Sequence, residues 1–334
     1  MGISGTLVLT SMNDPSGGAS PSLAHEHSLV LKQQFDAVLE NMRRVILGKE
    51  EVIARVLWCV AAQGHVLFRD VPGVGKTMLA RAFAASVDCT FKRVQFTPDL
   101  LPMDVSGANV FNMRQKTFEF QPGPVFTHVL LGDEINRAPP KTQSALLEVM
   151  EERQVTVDGV THKLESPFIA IATMNPLEDE GTYPLPAAQL DRFMMMLSVG
   201  YPPEEAEARM LEVHLSRTPV IEQLRPVISR DDVLAWQAAT PMVYLSPEMR
   251  RYLVAVIRST RGDSRNLRSV SPRSTLLLAR ACQARALFSG RSFVSVEDVK
   301  VLAPDVLAHR VLSADSGTGR ELVSAAVERI PAPA

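Results

Sequence analysis

The sequence predicts an α/β fold: a parallel five-stranded sheet with helices on both faces and β-hairpin insertions, followed by a small all-helical domain. Three observations predict it. Between residues 65 and 199, short and almost continuously apolar runs alternate with helical patterns. Such runs are strands buried on both faces, as in a parallel sheet between two helix layers. One of them, residues 65–71, passes through a glycine-containing loop straight into a helix. After Tyr201-Pro202-Pro203 the strand patterns stop and only helical ones follow.

The elements follow in order. Residues 1–27 are rich in Ser, Gly, Pro, Asn and His, with only Leu7-Val8-Leu9 apolar, and read as a disordered tail. His25-Glu26-His27 reads as solvated rather than metal-ligating. From Leu29, the positions Phe35, Val38, Leu39, Met42, Val45 and Ile46 keep a helical spacing that Gly48 ends. Val52, Ile53, Val56, Leu57 and Val60 repeat the pattern over residues 50–63, and Gly64 stops it. A short strand is expected at 91–96. Residues 104–124 read as a hairpin projecting from a helix, closed by Pro122-Gly123-Pro124. A third core strand, 129–131, runs into Gly132-Asp133-Glu134. A helix with prolines in its first turn then extends to Glu152. Residues 154–164 alternate around Asp158-Gly159, the mark of a hairpin. Core strands at 168–174 and 194–199 complete the sheet, with Met194-Met195-Met196 in the core.

Helices are expected at 204–215, 231–239, 247–259, 272–288 and 296–307. Ser246-Pro247 and Ser271-Pro272 place an N-cap before a proline at the first helical position. Ser295 and Asp298 approximate a capping box. The chain thus divides into a tail (1–27), an α/β domain (28–202), a helical domain (203–320) and a C-terminal tail (321–334).

Composition bounds the function. A chain of 334 residues, 46% hydrophobic and 22% charged, can bury a sizeable core. A net charge of −2 gives no general attraction for nucleic acid or anionic membrane. The three cysteines, Cys59, Cys89 and Cys282, lie far apart in apolar surroundings and read as core thiols of a reducing, cytoplasmic compartment. No apolar run approaches a membrane span, and the N-terminus does not resemble a signal peptide. Met1-Gly2-Ile3-Ser4-Gly5-Thr6 matches the bare myristoylation pattern, read as coincidence without a polybasic patch.

The chemistry begins at Asp70-Val71-Pro72-Gly73-Val74-Gly75-Lys76-Thr77-Met78. Strand, glycine loop and helix in that order make a phosphate-binding loop. Its backbone amides and helix N-terminus face the phosphates, Lys76 reaches the β- and γ-phosphates, and Thr77 holds Mg²⁺. The usual pattern has glycine where Asp70 stands; aspartate tolerates unusual backbone angles, so the loop stays feasible. Asp133 and Glu134 leave an apolar strand together: one suits the metal's water shell, the other the attacking water. Asn175, ending the next strand, is placed to sense the γ-phosphate. Arg192, just before the last core strand, can reach a neighbouring subunit's site, or else pair locally with Asp191 or Glu180. Trans arginines of this kind contribute roughly 10³–10⁵-fold to rate. Arg273, opening a later helix, can meet phosphates or stand solvated in an arginine-rich segment (Arg258, Arg261, Arg265, Arg268).

This order of motifs resembles an AAA+ ATPase. The stretch Asp133-Glu134-Ile135-Asn136-Arg137-Ala138-Pro139-Pro140-Lys141-Thr142-Gln143-Ser144, then Met150-Glu151-Glu152-Arg153-Gln154-Val155-Thr156, closely resembles the MoxR family, as does the loop with Asp70 at its head. The resemblance covers about residues 28–310. It implies a helix-2 insert at 104–124, a hairpin before the sensor strand at 154–164, and a hexameric ring with ATP between subunits. On it, Lys76, Thr77, Asp133, Glu134 and Asn175 act within one subunit and Arg192 acts from the neighbour. Arg273 acts within one subunit or in trans. ATP, ADP and Mg²⁺ are the implied ligands, and a von Willebrand factor A domain protein the implied partner in chaperone-like maturation. The ATPase subunit of a metal chelatase is the alternative. A nucleic-acid motor is disfavoured by the acidic total and a hairpin with few positive charges; a non-hydrolysing scaffold and a small-molecule kinase fit less well still.

Overall fold

The computed structural model describes residues 25–175, 181–214, 220–261, 270–311 and 319–333, with only the backbone of 25–27 and 212–214. The chain enters through α1 (His25–Arg43) and α2 (Glu50–Ala61) and reaches β1 (Val66–Arg69). Then come α3 (Lys76–Ser86), β2 (Phe91–Gln95), the short α4 (Pro102–Ser106) and the antiparallel hairpin β3 (Gly107–Asn112) with β4 (Thr117–Pro122). Next are β5 (Val129–Asp133), α5 (Pro140–Glu152), a second hairpin of β6 (Gln154–Val157) and β7 (Val160–Lys163), β8 (Ile169–Met174), α6 (Ala187–Leu190) and β9 (Met195–Leu197).

The five apolar runs form one sheet in the order β2-β5-β8-β1-β9, every pairing parallel. The period of two splits each run between the faces. Val66 and Phe68 point to the side of α1, α2 and α3, while Leu67 points to the side of α5 with Leu146, Leu147 and Met150. All three are fully buried. Each such side chain contributes on the order of 1.5–3 kcal/mol by leaving water. Because the strands are parallel, their C-terminal ends line one edge of the sheet and their N-terminal ends the other.

The remaining helices are α7 (Glu204–His214), α8 (Val220–Gln223), α9 (Arg230–Ala239), α10 (Pro247–Thr260), α11 (Pro272–Phe288), α12 (Val296–Leu307) and α13 (Gly319–Arg329). They do not fold apart from the sheet. Phe35 of α1 stacks on Phe288 of α11 at 4.5 Å between centroids, and Trp236 of α9 meets the same ring edge-on at 5.0 Å. One apolar cluster runs from Val66 through Phe35 and Trp236 to Leu302.

Two boundaries differ from expectation. The C-terminal tail expected at 321–334 contains α13, whose Val323, Ala326 and Val327 are buried. Their spacing of three and four makes one apolar stripe, and Arg320 adds an ion pair to Asp305 of α12 at 2.7 Å. At the other end α1 starts at His25, inside the expected tail. The tail and myristoylation readings over 1–24 lie outside the described residues, as do the side chains of 25–27.

The helix starts are mostly as read. Ser246 accepts from Met249 N at 3.2 Å, and Asp298 Oδ2 accepts from the Ser295 amide at 2.8 Å and the Ser295 hydroxyl at 3.0 Å, the Asp298 half of a capping box. Ser271 sits at the N-cap position but its hydroxyl donates to Asp191 at 3.1 Å instead. The cysteines are free thiols; Cys59 and Cys282 are buried and Cys89 is half-buried. No described helix is long and apolar enough to cross a membrane.

Candidate active site

Between β1 and α3 the backbone turns through Gly73 (φ +84°) and Gly75 (φ +94°), a region that side chains rarely adopt. A Cβ built on either glycine would meet nothing within 4 Å, so the loop encloses open space beside the first turn of α3. Helix N-termini leave amides unsatisfied, and this loop runs straight into the N-terminus of α3. The cradle therefore fits a polyphosphate. Lys76 is buried at the helix start and its ammonium donates to Asp70 O at 3.0 Å. Burial lowers its pKa, against the attraction of Asp70, Asp133 and Glu134. A buried cation bonded to a carbonyl is suited to receive an anion.

Asp70 is explained differently from the expectation. It is not among the positive-φ residues, so backbone tolerance is not the reason for it. Its carboxylate accepts from Val199 N at 2.5 Å, Gly200 N at 2.9 Å and the Ser198 hydroxyl at 3.0 Å. The side chain ties the loop to the chain leaving β9, and only its carbonyl serves Lys76.

Asp133 ends β5 beside β8. Its Oδ1 accepts from the Thr173 hydroxyl at 2.6 Å and its Oδ2 pairs with Arg93 of β2 at 2.6 Å. Glu134 takes a left-handed conformation (φ +55°), and its amide donates to the Thr173 oxygen at 2.8 Å. Its Oε2 accepts from Gln95 Nε2 at 2.8 Å and Arg137 Nη1 at 2.9 Å. Asp133 is the carboxylate on this edge that could hold a divalent ion together with half-buried Thr77. Asn175 is buried next to Met174, whose carbonyl accepts from Asp70 N at 3.2 Å. Loop, carboxylates and Asn175 therefore share the C-terminal edge of the sheet. Sequence reasoning missed Arg93, Gln95 and Thr173, polar residues at or near the ends of β2 and β8.

Arg192 lies on the other edge. It precedes β9, whose Met195 pairs with Val66, the first residue of β1. Its Nε meets Glu151 Oε2 at 3.1 Å, and Arg273 Nη1 meets Glu151 Oε1 at 2.7 Å. The pairing with Asp191 is not formed, and the Glu180 alternative lies outside the described residues, as do Arg265 and Arg268. Asp191 belongs instead to buried Arg310, whose Nε approaches to 2.6 Å and whose other nitrogens reach the carbonyls of Asp191 (2.9 Å) and Phe193 (2.7 Å). Nothing in the sequence pattern pointed to Arg310.

Glu151 and both arginines border a cavity of about 280 Å³ that also meets Arg153, Arg280 and His65. His65 is neutral there: Nδ1 accepts from Ala170 N at 3.0 Å, Nε2 lies 3.0 Å from Met150 O, and burial lowers its pKa to about 4. Four arginines thus border this cavity with one carboxylate, Glu151, which pairs with two of them, Arg192 and Arg273. The 13-residue α5 begins just after Glu134 and ends at Glu152. Such a helix is about 20 Å long, farther than an arginine side chain reaches.

Comparison with known proteins identifies the family. Residues 65–195 match the ATPase family associated with various cellular activities, and residues 260–330 match the AAA lid domain. The Bacillus subtilis protein YeaC is 47% identical over 82% of this chain and 85% of its own length. Chaperone MoxR1 of Mycobacterium tuberculosis is 39% identical over 89% of this chain and 79% of its own. A solved structure of a candidate ATPase from Cytophaga hutchinsonii superposes with a TM-score of 0.86 at 35% identity, covering 92% of this chain and 98% of that one. With a phosphate-binding loop, an Asp-Glu pair and Asn175 on one sheet edge, and a helical part matching the lid, the chain belongs to the MoxR family of AAA ATPases.

Proposed function

We propose that this ATPase hydrolyses ATP in a Mg²⁺-dependent way at the junctions of a hexameric ring, and that the ring remodels or matures a partner protein. The separation of Arg192 from the chain's own phosphate-binding loop carries the reading. The two stand on opposite edges of the sheet, at opposite ends of α5, so Arg192 meets a phosphate-binding loop only on a second copy.

Within one subunit, the amides from Gly73 to Met78 and the Lys76 ammonium bind the phosphates. Thr77 and Asp133 would hold Mg²⁺, which would supply charge neutralisation at the phosphate oxygens; Asp133 Oδ2 otherwise pairs with Arg93. Glu134 turns from Gln95 and Arg137 toward the attacking water, and Asn175 orients the γ-phosphate side. The neighbour supplies Arg192, and Arg273 with it, since both are gathered on Glu151. The name of the mycobacterial relative, a chaperone, supports the remodelling role. A von Willebrand factor A domain protein remains the proposed partner class.

The test is steady-state ATP hydrolysis against protein concentration. Specific activity is expected to rise with concentration, and Glu134→Gln and Arg192→Ala to lose at least about 10³-fold while still binding ATP. A concentration-independent rate that survives Arg192→Ala would overturn the shared site.

A further inference from the structure

Arg192 and Arg273 come from different elements, yet one carboxylate holds both. Glu151 takes Arg192 by Nε on one oxygen and Arg273 by Nη1 on the other. Apart from Glu151, neither Arg192 nor Arg273 has an ion-pair partner among the described residues, and both side chains border the cavity. Without Glu151, four guanidiniums would share this space uncompensated and repel one another. The carboxylate is itself about a third exposed, at 35%, so it is no part of the packed interior.

From this geometry we infer that Glu151 is a positioning residue for the arginines this subunit offers to its neighbour. It grips each guanidinium from behind and leaves the remaining N–H groups free for a phosphoryl group arriving from another subunit. A small misplacement of such groups costs up to about 100-fold in rate. Glu151 acts through Arg192 and Arg273 and not on the reacting atoms. The inference rests on the shared-site reading above.

Mixed assemblies test it. The control combines Glu134→Gln with Arg192→Ala. Each is inactive alone, but together they make some sites with an intact Glu134 facing an intact Arg192. The probes are Glu151→Gln, which keeps the shape and removes the charge, and Glu151→Asp, which keeps the charge. Glu151→Gln alone is expected to lose about tenfold or more in kcat with little change in the KM for ATP, and Glu151→Asp to recover part of it. Mixing Glu151→Gln with Glu134→Gln should restore activity, because the second subunit brings a correctly held arginine pair. Mixing it with Arg192→Ala should restore nothing. Wild-type turnover in Glu151→Gln overturns the inference while an active control leaves the shared site standing. A loss that Glu134→Gln subunits do not rescue also overturns it, since the defect then lies in the subunit's own site or fold. A silent control overturns the shared-site reading, and the role of Glu151 with it.

Discussion

The Thr173 hydroxyl serves Asp133 and Glu134 at once: it donates to the carboxylate of the first and accepts from the amide of the second. Asp133 is the last residue of β5 and Glu134 the first beyond it, at positive φ. Thr173→Val keeps the shape and removes both bonds. It is expected to lower kcat about tenfold, with nucleotide affinity nearly unchanged, and to cost about 1–2 kcal/mol of stability; turnover, nucleotide titration and urea unfolding would measure these. Gly73, Gly75, Lys76 and Thr77 were legible in the sequence because a phosphate-binding loop is local: its parts are consecutive. Thr173, Gln95 and Arg93 were not, because their closeness to Asp133 and Glu134 depends on β5 lying between β2 and β8, an order that no local pattern encodes.

At the scale of elements, α12 is held by buried carboxylates as much as by its apolar stripe. Asp298 in its first turn is fully buried; it closes the capping box with Ser295 and pairs with Arg291 at 2.6 Å and with Arg285 of α11. Asp305 in its last turn joins Arg55 of α2 and Arg320 of α13, each at 2.7 Å. Asp298→Ala would leave two guanidiniums without their counter-charge and is expected to destabilise by about 3–5 kcal/mol, read as a lowered thermal midpoint. The capping box itself was readable from Ser295 and Asp298, being three residues apart. The arginines were not, since they arrive from the preceding helix and loop. The stripe of α13 was passed over for a related reason: with only Val323, Ala326 and Val327 to bury, it is weak until α10 and α12 are there to cover it.

At the scale of the whole molecule, two of the buried histidines among the described residues, His65 and His309, each stitch one part to another. His65 bridges α5 and β8, and His309, in the helical part, lies 3.1 Å from the carbonyl of Phe193. Burial lowers the pKa of both, that of His65 to about 4 and that of His309 well below the ordinary value. The unfolded chain therefore binds more protons than the folded one below about pH 6.5. Stability is fully present above that pH and falls as the solution is acidified toward pH 4. The loss from His65 alone is roughly 3 kcal/mol. Urea midpoints measured from pH 7.5 to 4.5 should decline, and His65→Asn should start lower but decline less. A midpoint independent of pH over that range would refute this account. The five-stranded sheet and the helical half were predicted from the alternation of patterns. Their joint core was not, because nothing along the chain announces that Phe35 and Phe288 will stack.

The Asp70 carboxylate also has a mechanical side. It is bound to residues 198–200, and the chain runs from there through Tyr201 directly into α7. A pull on the loop is thus transmitted through three hydrogen bonds to the root of the helical half. A glycine at that position, as in the common motif, would leave only main chain to bear the load. The residue that makes this loop look irregular in sequence is the one that gears it to the rest of the machine.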